Sequence, residues 1–432
     1  MRMKRPEKFI VLLLGALAFA GISGILPLGK ALREADKMPI IKKPMGGEEE
    51  NPFLKHNNET RVKFSANEVI SVRILSQSKA KEIVFAPELG SYFVIADGKN
   101  LLLLDVQNAL KLSVVGDSIE VKSFEKNWGK FTSVRLYSPD QEKTFKVKCL
   151  NPERKPRFFN DNLTVTIEGD ILRMINESLL DNYIAGVSEA ESGAYSQIEF
   201  YKVQAILART YALSHISKHQ PEGFNMCDQV HCQAFFGKSN EAKIIQAVNA
   251  TRGKVVVDED MNLITAVFHS NSGGQTVNSE DVWGKPTTYL RGVVDTFSYK
   301  MPNARWTRKI AVSDWLDYLK IKHNYPVDDS SARKVALNFK QEIRKVNLEY
   351  GNIKVPLKNV RTDFQLKSTY FSLETAGDTV ILNGRGFGHG IGMCQEGAMR
   401  MTKNGYNYKD VLNFYYRNVH IIDLKDLNFF RE

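Results

Sequence analysis

The sequence predicts an α+β protein that combines β-rich segments with one long buried helix. Short segments between residues 61 and 156 alternate apolar and polar side chains and are separated by turn residues, a pattern typical of strands with one buried face. Further along, apolar residues recur at helical spacing over several turns, which predicts the long helix. Its stripe consists of Ile198, Tyr201, Ala205, Ala208, Ala212 and Ile216.

Composition places the chain among globular proteins that favour anionic partners. Its 432 residues are enough for two or three domains, and a hydrophobic content of 43% is sufficient for a packed core. The net charge of +10 favours partners such as a cell-wall polymer or a membrane surface. Because Lys and Arg are spread along the chain rather than clustered with aromatic residues, nucleic acid is not an expected partner.

The N-terminus predicts export from the cytoplasm. Four basic residues within the first eight precede an uncharged run over residues 9–29, which has about the length of a membrane span. We interpret residues 1–30 as an uncleaved transmembrane anchor, because the apolar run continues past Ala20, where a cleaved signal peptide, the alternative, would end. In either case the bulk of the chain would lie outside the cytoplasm, in the cell envelope or secreted.

Changes in composition suggest the domain boundaries. Residues 31–60 form a polar linker without periodicity. Residues 61–156 are predicted to form a β-rich accessory domain, in which no catalytic grouping is recognisable. Residues 157–432 carry the remaining motifs and are predicted to form a second domain, with a peripheral insertion around residues 300–365 whose charges we interpret as a solvated face.

Two acidic residues, Glu189 and Glu191, precede the long helix in what we interpret as a loop beside Gly193. Ser196 followed by Glu199 has the spacing of a capping box, which predicts a helix start here. A carboxylate next to a helix start can be held rigidly, but loop acids are usually solvated. The residues alone therefore do not distinguish a catalytic acid from a surface acid.

Glycine occupies every second position at the start of the block NGRGFGHGIGMCQEGA, which begins at residue 383. A dinucleotide-binding fingerprint needs its third glycine at an odd offset that strict alternation does not supply, so nucleotide binding is not expected. In an extended chain the glycines would share one face, which we expect to pack against the helix near Ala205 and Ala208. The other face would carry Arg385 and His389 into a groove; a strand that is simply packed closely on its neighbour is the alternative.

Two of the four cysteines, Cys227 and Cys232, lie near His219 and His231. In an exported protein such a pair can form a disulfide. Two thiolates and an imidazole at this spacing also suit zinc, and free thiols are the third alternative. Of the other two cysteines, Cys149 is predicted to be a core residue.

Six blocks in order along the chain resemble the SpoIID family of peptidoglycan-cleaving proteins. The blocks, which fall within residues 158–420, are INESLLDNYIAGVSEAES, KVQAILARTYAL, FHSNSGGQT, VWGKPTTYLRGVVD, LKSTYF and GRGFGHGIGMCQEGA. The resemblance implies that residues 157–432 form a SpoIID-like catalytic domain. In the last block, Cys394 stands where the family usually has serine, and we interpret it as a tolerated small substitute.

The family resemblance also implies an activity, that of a peptidoglycan lytic transglycosylase. Such an enzyme cleaves the bond between N-acetylmuramic acid and N-acetylglucosamine and leaves 1,6-anhydro-muramic ends, preferring glycan stripped of its stem peptides. By position, Glu191 rather than Glu189 matches the catalytic glutamate, which acts first as general acid and then as base. The expected partners are glycan strands and the membrane. The residues expected to bind glycan are Arg209, Tyr211, Ser270, Ser272, Gly273, Gly274, Arg385, His389 and Gln395.

Resemblance also bears on the cysteine cluster and on a second possible function. Some family members bind zinc through one His and two Cys, which implies a structural zinc held by His219, Cys227 and Cys232, with His231 able to replace His219. Related proteins have been named amidase enhancers, so the alternative function is a non-catalytic wall-binding protein that stimulates an N-acetylmuramoyl-L-alanine amidase. An envelope scaffold without activity is a third alternative.

Overall fold

The computed structural model describes residues 69–431. The predicted anchor and linker, residues 1–30 and 31–60, lie outside this range. No helix in the described part of the chain is long and apolar enough to cross a membrane.

Residues 69–179 form strands only, and helices and strands follow one another from Leu180 onward. The strands are β1 Val69–Ile74, β2 Glu82–Leu89, β3 Tyr92–Ala96, β4 Lys99–Leu104, β5 Leu110–Val115, β6 Ser118–Ser123, β7 Asn127–Phe131, β8 Ser133–Tyr137, β9 Thr144–Asn151, β10 Arg157–Asn160, β11 Asn162–Glu168, β12 Ile171–Leu179, β13 Met226–Cys227, β14 Lys254–Val257, β15 Phe268–His269, β16 Arg305–Ala311, β17 Asn347–Tyr350, β18 Ile353–Pro356, β19 Phe371–Ala376, β20 Thr379–Arg385, β21 Met393–Cys394 and β22 His420–Asp423. The helices are α1 Leu180–Ser192, α2 Ile198–Ser214, α3 Ala242–Ala250, α4 Ser279–Trp283, α5 Val312–His323, α6 Ser330–Leu337, α7 Leu357–Asp363, α8 Gln395–Lys403, α9 Tyr408–Tyr415 and α10 Leu424–Arg431.

Two sheets contain the strands of the N-terminal region. One has seven strands in the order β13-β1-β12-β11-β8-β3-β4, and the other has six in the order β10-β9-β2-β5-β6-β7. Alternate side chains of β1 and β2 are buried, as the period-2 pattern predicts. One hydrophobic cluster contains the buried residues of both sheets and of helices α1 and α2. Strands from both sides of residue 156 therefore pair within one sheet and share one core.

Helices α1 and α2 form the centre of the fold. Strand β12 runs directly into α1, and α2 is the predicted long helix, buried along most of its length. The last turn of α1 contains Glu189 and Glu191, so the prediction that these two residues lie in a loop was wrong.

The predicted capping box at the start of α2 was also wrong. The N-cap is Gln197, and no side chain caps the helix. Instead, the N–H of Ser196 donates to the hydroxyl of Tyr201 (2.9 Å). Glu199 accepts from Lys202 (2.6 Å) and from the N–H of Tyr408 (3.0 Å). The carboxylate thus joins α2 to α9, a partner more than 200 residues away that a local pattern cannot reveal.

The glycine block is not an extended strand. It is extended through Arg385, after which Gly386, Gly388, Gly390 and Gly392 all have positive φ. Side-chain alternation requires extended backbone at every residue, so the predicted pair of faces does not form.

Gly386, Gly388 and Gly392 pack against residues 267–277, and their nearest neighbours do not include Ala205 or Ala208 of α2. Strand β21 pairs in parallel with β15, and isolated bridges join Asn271 to Phe387 and Val277 to Ile391. A Cβ added to Gly392 would lie 2.2 Å from the carbonyl oxygen of Val267, so only glycine permits this approach.

A peripheral lobe has its own small core. Strands β16, β20 and β19 form a three-stranded sheet, against which α5, α6 and α7 pack. Its buried residues run from Trp306 to Leu382, so strands β19 and β20, which lie beyond the predicted insertion at 300–365, belong to the same lobe. The lobe leads directly into the glycine block.

Candidate functional site

Glu191 lies in the last turn of α1, where a loop from a distant part of the chain reaches it. The N–H of Ala234 donates to the Glu191 carboxylate (2.7 Å). The loop can come this close because Gly186, one turn and a half earlier in α1, has no side chain: a Cβ there would lie 2.2 Å from the carbonyl oxygen of Gly237. Glu191 itself remains partly exposed.

The pKa of Glu191 is raised because burial penalises its charged form, and the bond from Ala234 opposes this only in part. Among the described residues, no second carboxylate contributes to the pKa of Glu191. Glu189, its neighbour in the helix, instead accepts a hydrogen bond from the N–H of Asn240 (3.3 Å). The geometry therefore isolates one carboxyl group that favours the protonated form.

Two buried tyrosines, Tyr183 and Tyr211, lie near this carboxyl group. Tyr183 is buried and its hydroxyl contacts the side-chain oxygen of Gln233 (3.4 Å). Burial raises the pKa of Tyr211, and Cys232 and Glu191 raise it further, so the three groups are close together. The Tyr211 hydroxyl is buried without a hydrogen-bond partner among the described residues.

Gln395 connects the glycine block to the glutamate. Its side-chain NH₂ donates to the main-chain oxygen of Glu191 (3.2 Å). The preceding residue, Cys394, is the N-cap of α8, and its sulfur accepts from the N–H groups of Gly397 (3.2 Å) and Ser272 (3.3 Å). Cys394 thus makes the capping contact that a serine would make, in line with its interpretation as a small substitute.

The predicted glycan-binding residues at 270–274 form a buried network with the block. The Ser272 hydroxyl donates to Asp295 (2.7 Å), and Ser270 accepts from the side chain of Asn303 (3.3 Å). Gly273 and Gly274 are buried with positive φ, and a Cβ on Gly273 would lie 2.7 Å from the main chain of Arg385. The Arg385 guanidinium donates to the carbonyl of Gln341 (2.7 Å).

Ser272, Arg209 and His389, all predicted to bind glycan, have their polar groups bonded within the fold; the Ser272 side chain is fully buried and does not fit the predicted role. Arg209 is 1% exposed, and its guanidinium donates to Asp181 (2.9 Å) and to the carbonyls of Thr251 and Lys254. A guanidinium that is 1% exposed and bonded to these partners does not fit the predicted role in binding glycan, because a ligand at the surface cannot reach it.

His389 is likewise held by backbone groups. Its Nε2–H donates to the carbonyl of Phe268 (3.0 Å), and its Nδ1 accepts from the N–H of Ile391 (3.0 Å). Burial lowers the pKa of His389 to about 4, so the ring is neutral near neutral pH. With both nitrogens used, the ring joins the block to β15, and the prediction that it contacts glycan does not fit this arrangement.

Four thiol and imidazole groups meet close to Glu191. They belong to His219, Cys227, His231 and Cys232, and their ligand atoms all lie within 4.8 Å of one another. The Cys232 sulfur lies 3.3 Å from Nε2 of His219, and His231 Nδ1 lies 3.7 Å from the Cys227 sulfur. All four cysteines of the chain are free thiols. The structure brings both candidate histidines to the cysteine pair.

The chemistry of this cluster fits a zinc ion. Tetrahedral zinc takes sulfur and nitrogen ligands at about 2.0–2.3 Å, and such ligands lie within the spacing found here. Nδ1 of His219 contacts the Glu222 carboxylate (2.5 Å), which turns Nε2 toward the thiols as in metal-binding histidines. The hydrogen bond between the thiols lowers the pKa of Cys227 and raises that of Cys232, as when two thiols share one proton.

Sequence reasoning missed the contacts that position the glutamate. Ala234 acts through its main-chain N–H, which carries no signature in the sequence. Cys232 lies two residues before Ala234, so the cluster and the glutamate are joined by one short segment. The only available signal was the position of the cysteine pair after the helix.

The fold and site define an α+β protein in which the last turn of α1 presents an acid with a raised pKa, on a helix joined to the segment that follows a thiol and imidazole cluster. The chain belongs to the SpoIID family: residues 168–257 match the family described as Stage II sporulation protein, a range that includes Glu191 and the cluster.

The relatives cover more of the chain than the family match does. An uncharacterized protein of Brachyspira hyodysenteriae is 30% identical over 268 residues, which are 60% of this chain and 71% of that protein. Stage II sporulation protein D of Bacillus subtilis is 29% identical over 58% of this chain and 78% of its own length. The amidase enhancer of Bacillus subtilis is 28% identical over 54% of this chain, but only 39% of its own length.

Proposed function

We propose that the protein is a peptidoglycan lytic transglycosylase that acts on glycan strands stripped of stem peptides. The observation that supports this most is the single acid at Glu191: it is partly buried, its pKa is raised, and no second carboxylate influences it among the described residues. Ordinary glycosidases need two carboxyl groups that flank the bond. One group is enough when the nucleophile belongs to the substrate.

The reaction needs one proton to move out and one to return. Protonated Glu191 donates to the oxygen that links muramic acid to the next sugar, and the bond from C1 to that oxygen breaks. The C6 hydroxyl of the same muramic acid then attacks C1, and the Glu191 carboxylate accepts its proton. The products are a 1,6-anhydro-muramic end and a free N-acetylglucosamine hydroxyl, and Glu191 is again protonated.

The Ala234 N–H positions the carboxyl group for both steps. The N–H group takes no part in proton transfer. Its hydrogen bond holds one carboxylate oxygen of Glu191 and leaves the other oxygen for the substrate. Burial favours the acid form that donates the proton in the first step, while the bond from Ala234 favours the charged form that accepts the proton in the second.

The test is product analysis by mass. The full-length protein is incubated with intact glycan strands and with strands from which an amidase has removed the stem peptides. Anhydro-muramic ends, formed faster on stripped strands, are the expected result. Reducing ends would indicate hydrolysis and would contradict the proposal.

We further propose a structural zinc ion held by His219, Cys227 and Cys232, with His231 as the fourth group. When bound, the zinc would hold the loop that carries Ala234. Elemental analysis with a thiol count is the test: one zinc per chain and no disulfide is expected, whereas a Cys227–Cys232 disulfide without metal would contradict it.

The second candidate function is a wall-binding protein that stimulates an amidase, which the likeness to the amidase enhancer favours. It predicts binding to glycan without cleavage, together with faster release of stem peptides by an added amidase. Under either function we place the protein in the cell envelope.

A further inference from the structure

Two exposed aromatic residues lie on the chain segments that meet at the Glu191 carboxylate. Tyr195 is 92% exposed and follows Glu191 by four residues, so its backbone lies within about 14 Å of the glutamate. Phe236 is 48% exposed and lies two residues after Ala234, within about 7 Å of the N–H that holds the carboxylate. The backbone of both residues therefore lies within reach of a ligand bound at the glutamate.

Tyr195 is held by a short, fixed loop. The buried Tyr201 hydroxyl donates to the carbonyl of Gly193 (3.0 Å) and accepts from the N–H of Ser196 (2.9 Å), so it closes the loop from both sides. Tyr195 itself forms no hydrogen bond and no ring contact with the other described residues. A fixed loop that presents an unpartnered ring loses little conformational entropy when a ligand binds.

Phe236 is held in the same way from the other segment. Phe235 is buried, with its ring 5.0 Å from that of Tyr183, and the N–H of Lys238 donates to the carbonyl of Phe158 (2.7 Å). The Arg157 guanidinium lies 5.3 Å from the Phe236 ring. Phe236 is thus fixed between two anchored neighbours while half of its surface stays in water.

The chemistry of such a pair suits a sugar chain. A pyranose ring has one face of C–H groups, which gains from contact with an aromatic face, while its hydroxyl groups remain in water. A protein or lipid partner would require a larger apolar surface than two separated rings. We propose that Tyr195 and Phe236 are stacking platforms for sugar rings of the glycan strand next to the bond that Glu191 cleaves; this rests on the proposed function.

Binding is measured in a chain that cannot cleave. Full-length Glu191→Gln protein is titrated with stripped glycan strands, alone and with Tyr195→Ala, Phe236→Ala or both. Each single change should weaken binding about tenfold, the equivalent of one good stacking contact. Tyr195→Trp and Phe236→Tyr should retain it, and Phe124→Ala, which removes a fully exposed ring just after β6, should have no effect.

In the active chain, Tyr195→Ala should raise KM about tenfold with kcat changed less than about twofold, because the ring binds substrate and transition state alike. Unchanged glycan binding in both Ala variants would overturn the inference, as would equal losses in Phe124→Ala or in Tyr195→Trp. If wild type cleaves glycan but the aromatic variants match it, only this inference fails. If the wild-type and Glu191→Gln chains neither cleave nor bind glycan, the proposed function fails with it.

Discussion

The carboxyl group of Glu191 is partly buried beside a single main-chain donor, and this environment favours its protonated form. Because its pKa is raised in the folded chain, the acid form is favoured, and the charged form costs stability that an exposed carboxylate would not. Burial of the carboxyl group thus makes Glu191 a suitable proton donor and also lowers the stability of the fold when the group is charged.

Replacing Glu191 by Gln should abolish most glycan cleavage, with a loss of about 10²- to 10⁴-fold, since the amide cannot transfer a proton. The measurement is the rate of anhydro-end formation. Glu189→Gln is the matched control in the same helix turn and should keep near wild-type activity. Normal cleavage by Glu191→Gln would reject the assignment.

The same substitution should stabilise the fold at neutral pH. The unfolded carboxyl titrates at about pH 4.3 and the folded one higher, so the wild type loses stability relative to the Gln variant as pH rises between these two values. Melting temperatures should coincide below about pH 4 and favour the Gln variant near pH 7. A Gln variant less stable than wild type at neutral pH would show that the carboxyl group is not penalised by burial.

Glycan cleavage by the wild-type protein should fall as pH rises through the pKa of Glu191, because the acid form of this residue starts the reaction.

Cys394 offers a test of capping by sulfur. Cys394→Ala should cost about 1–2 kcal/mol, because it leaves two buried N–H groups, those of Gly397 and Ser272, without an acceptor. Cys394→Ser restores an acceptor and should cost less than half as much. The check is denaturant unfolding; equal stability of the Ala and wild-type proteins would show that the sulfur does not cap α8.

At the scale of elements, the glycine block is a packed connection between β20 and α8, and its backbone has no room for side chains. Gly392 has φ of 66°, and its Cα faces the carbonyl of Val267. Gly377 has a similar φ of 57° in the turn after β19, with open space around it. This pair separates the cost of backbone conformation from the cost of close packing.

Gly377→Ala should therefore cost about 1–2 kcal/mol, the price of a left-handed alanine. Gly392→Ala should cost at least about 1–3 kcal/mol more, because the added carbon collides with backbone rather than with a flexible side chain. Denaturant unfolding of both variants gives the comparison. Equal losses would mean that the block can move away from Val267.

The whole molecule concentrates its charge in the peripheral lobe. Residues 300–365 contain 14 Lys and Arg against seven Asp and Glu, so they carry most of the net charge of +10. A groove of about 880 Å³ on this lobe is lined in part by Lys334, Lys340 and Lys345. Stripped glycan exposes the carboxylates of its muramic acids and is a suitable anionic partner.

Association with stripped glycan should therefore weaken as salt rises from about 50 to about 500 mM, since exposed charges are screened over this range. Changing Lys334, Lys340 and Lys345 together to Glu should reduce both the binding and its salt dependence in a cosedimentation assay. The control changes Lys79, Lys99 and Lys130, three exposed lysines of the N-terminal region, in the same way. Equal effects of the two triple variants would show that only net charge matters.

The sequence by itself determined the family, the buried helix and the strands. The apolar periodicity and the six family blocks depend only on residues that are close together in the sequence. It also placed the cysteine pair and the acid within one stretch. It did not determine which neighbour each residue meets: Ser196, Glu199, Arg209 and His389 all fit plausible local roles and have other partners in the fold.

Only the tertiary structure decided these points. The N–H of Ala234 reaches Glu191 from 43 residues away, and the side chain of Gln395 reaches its main chain from 204 residues away. Gly386, Gly388 and Gly392 have positive φ and pack against residues 267–277, an arrangement that their alternation in sequence does not reveal. Local pattern governs which face of an element is buried, whereas the protonation of an acid depends on groups that folding brings from distant parts of the chain.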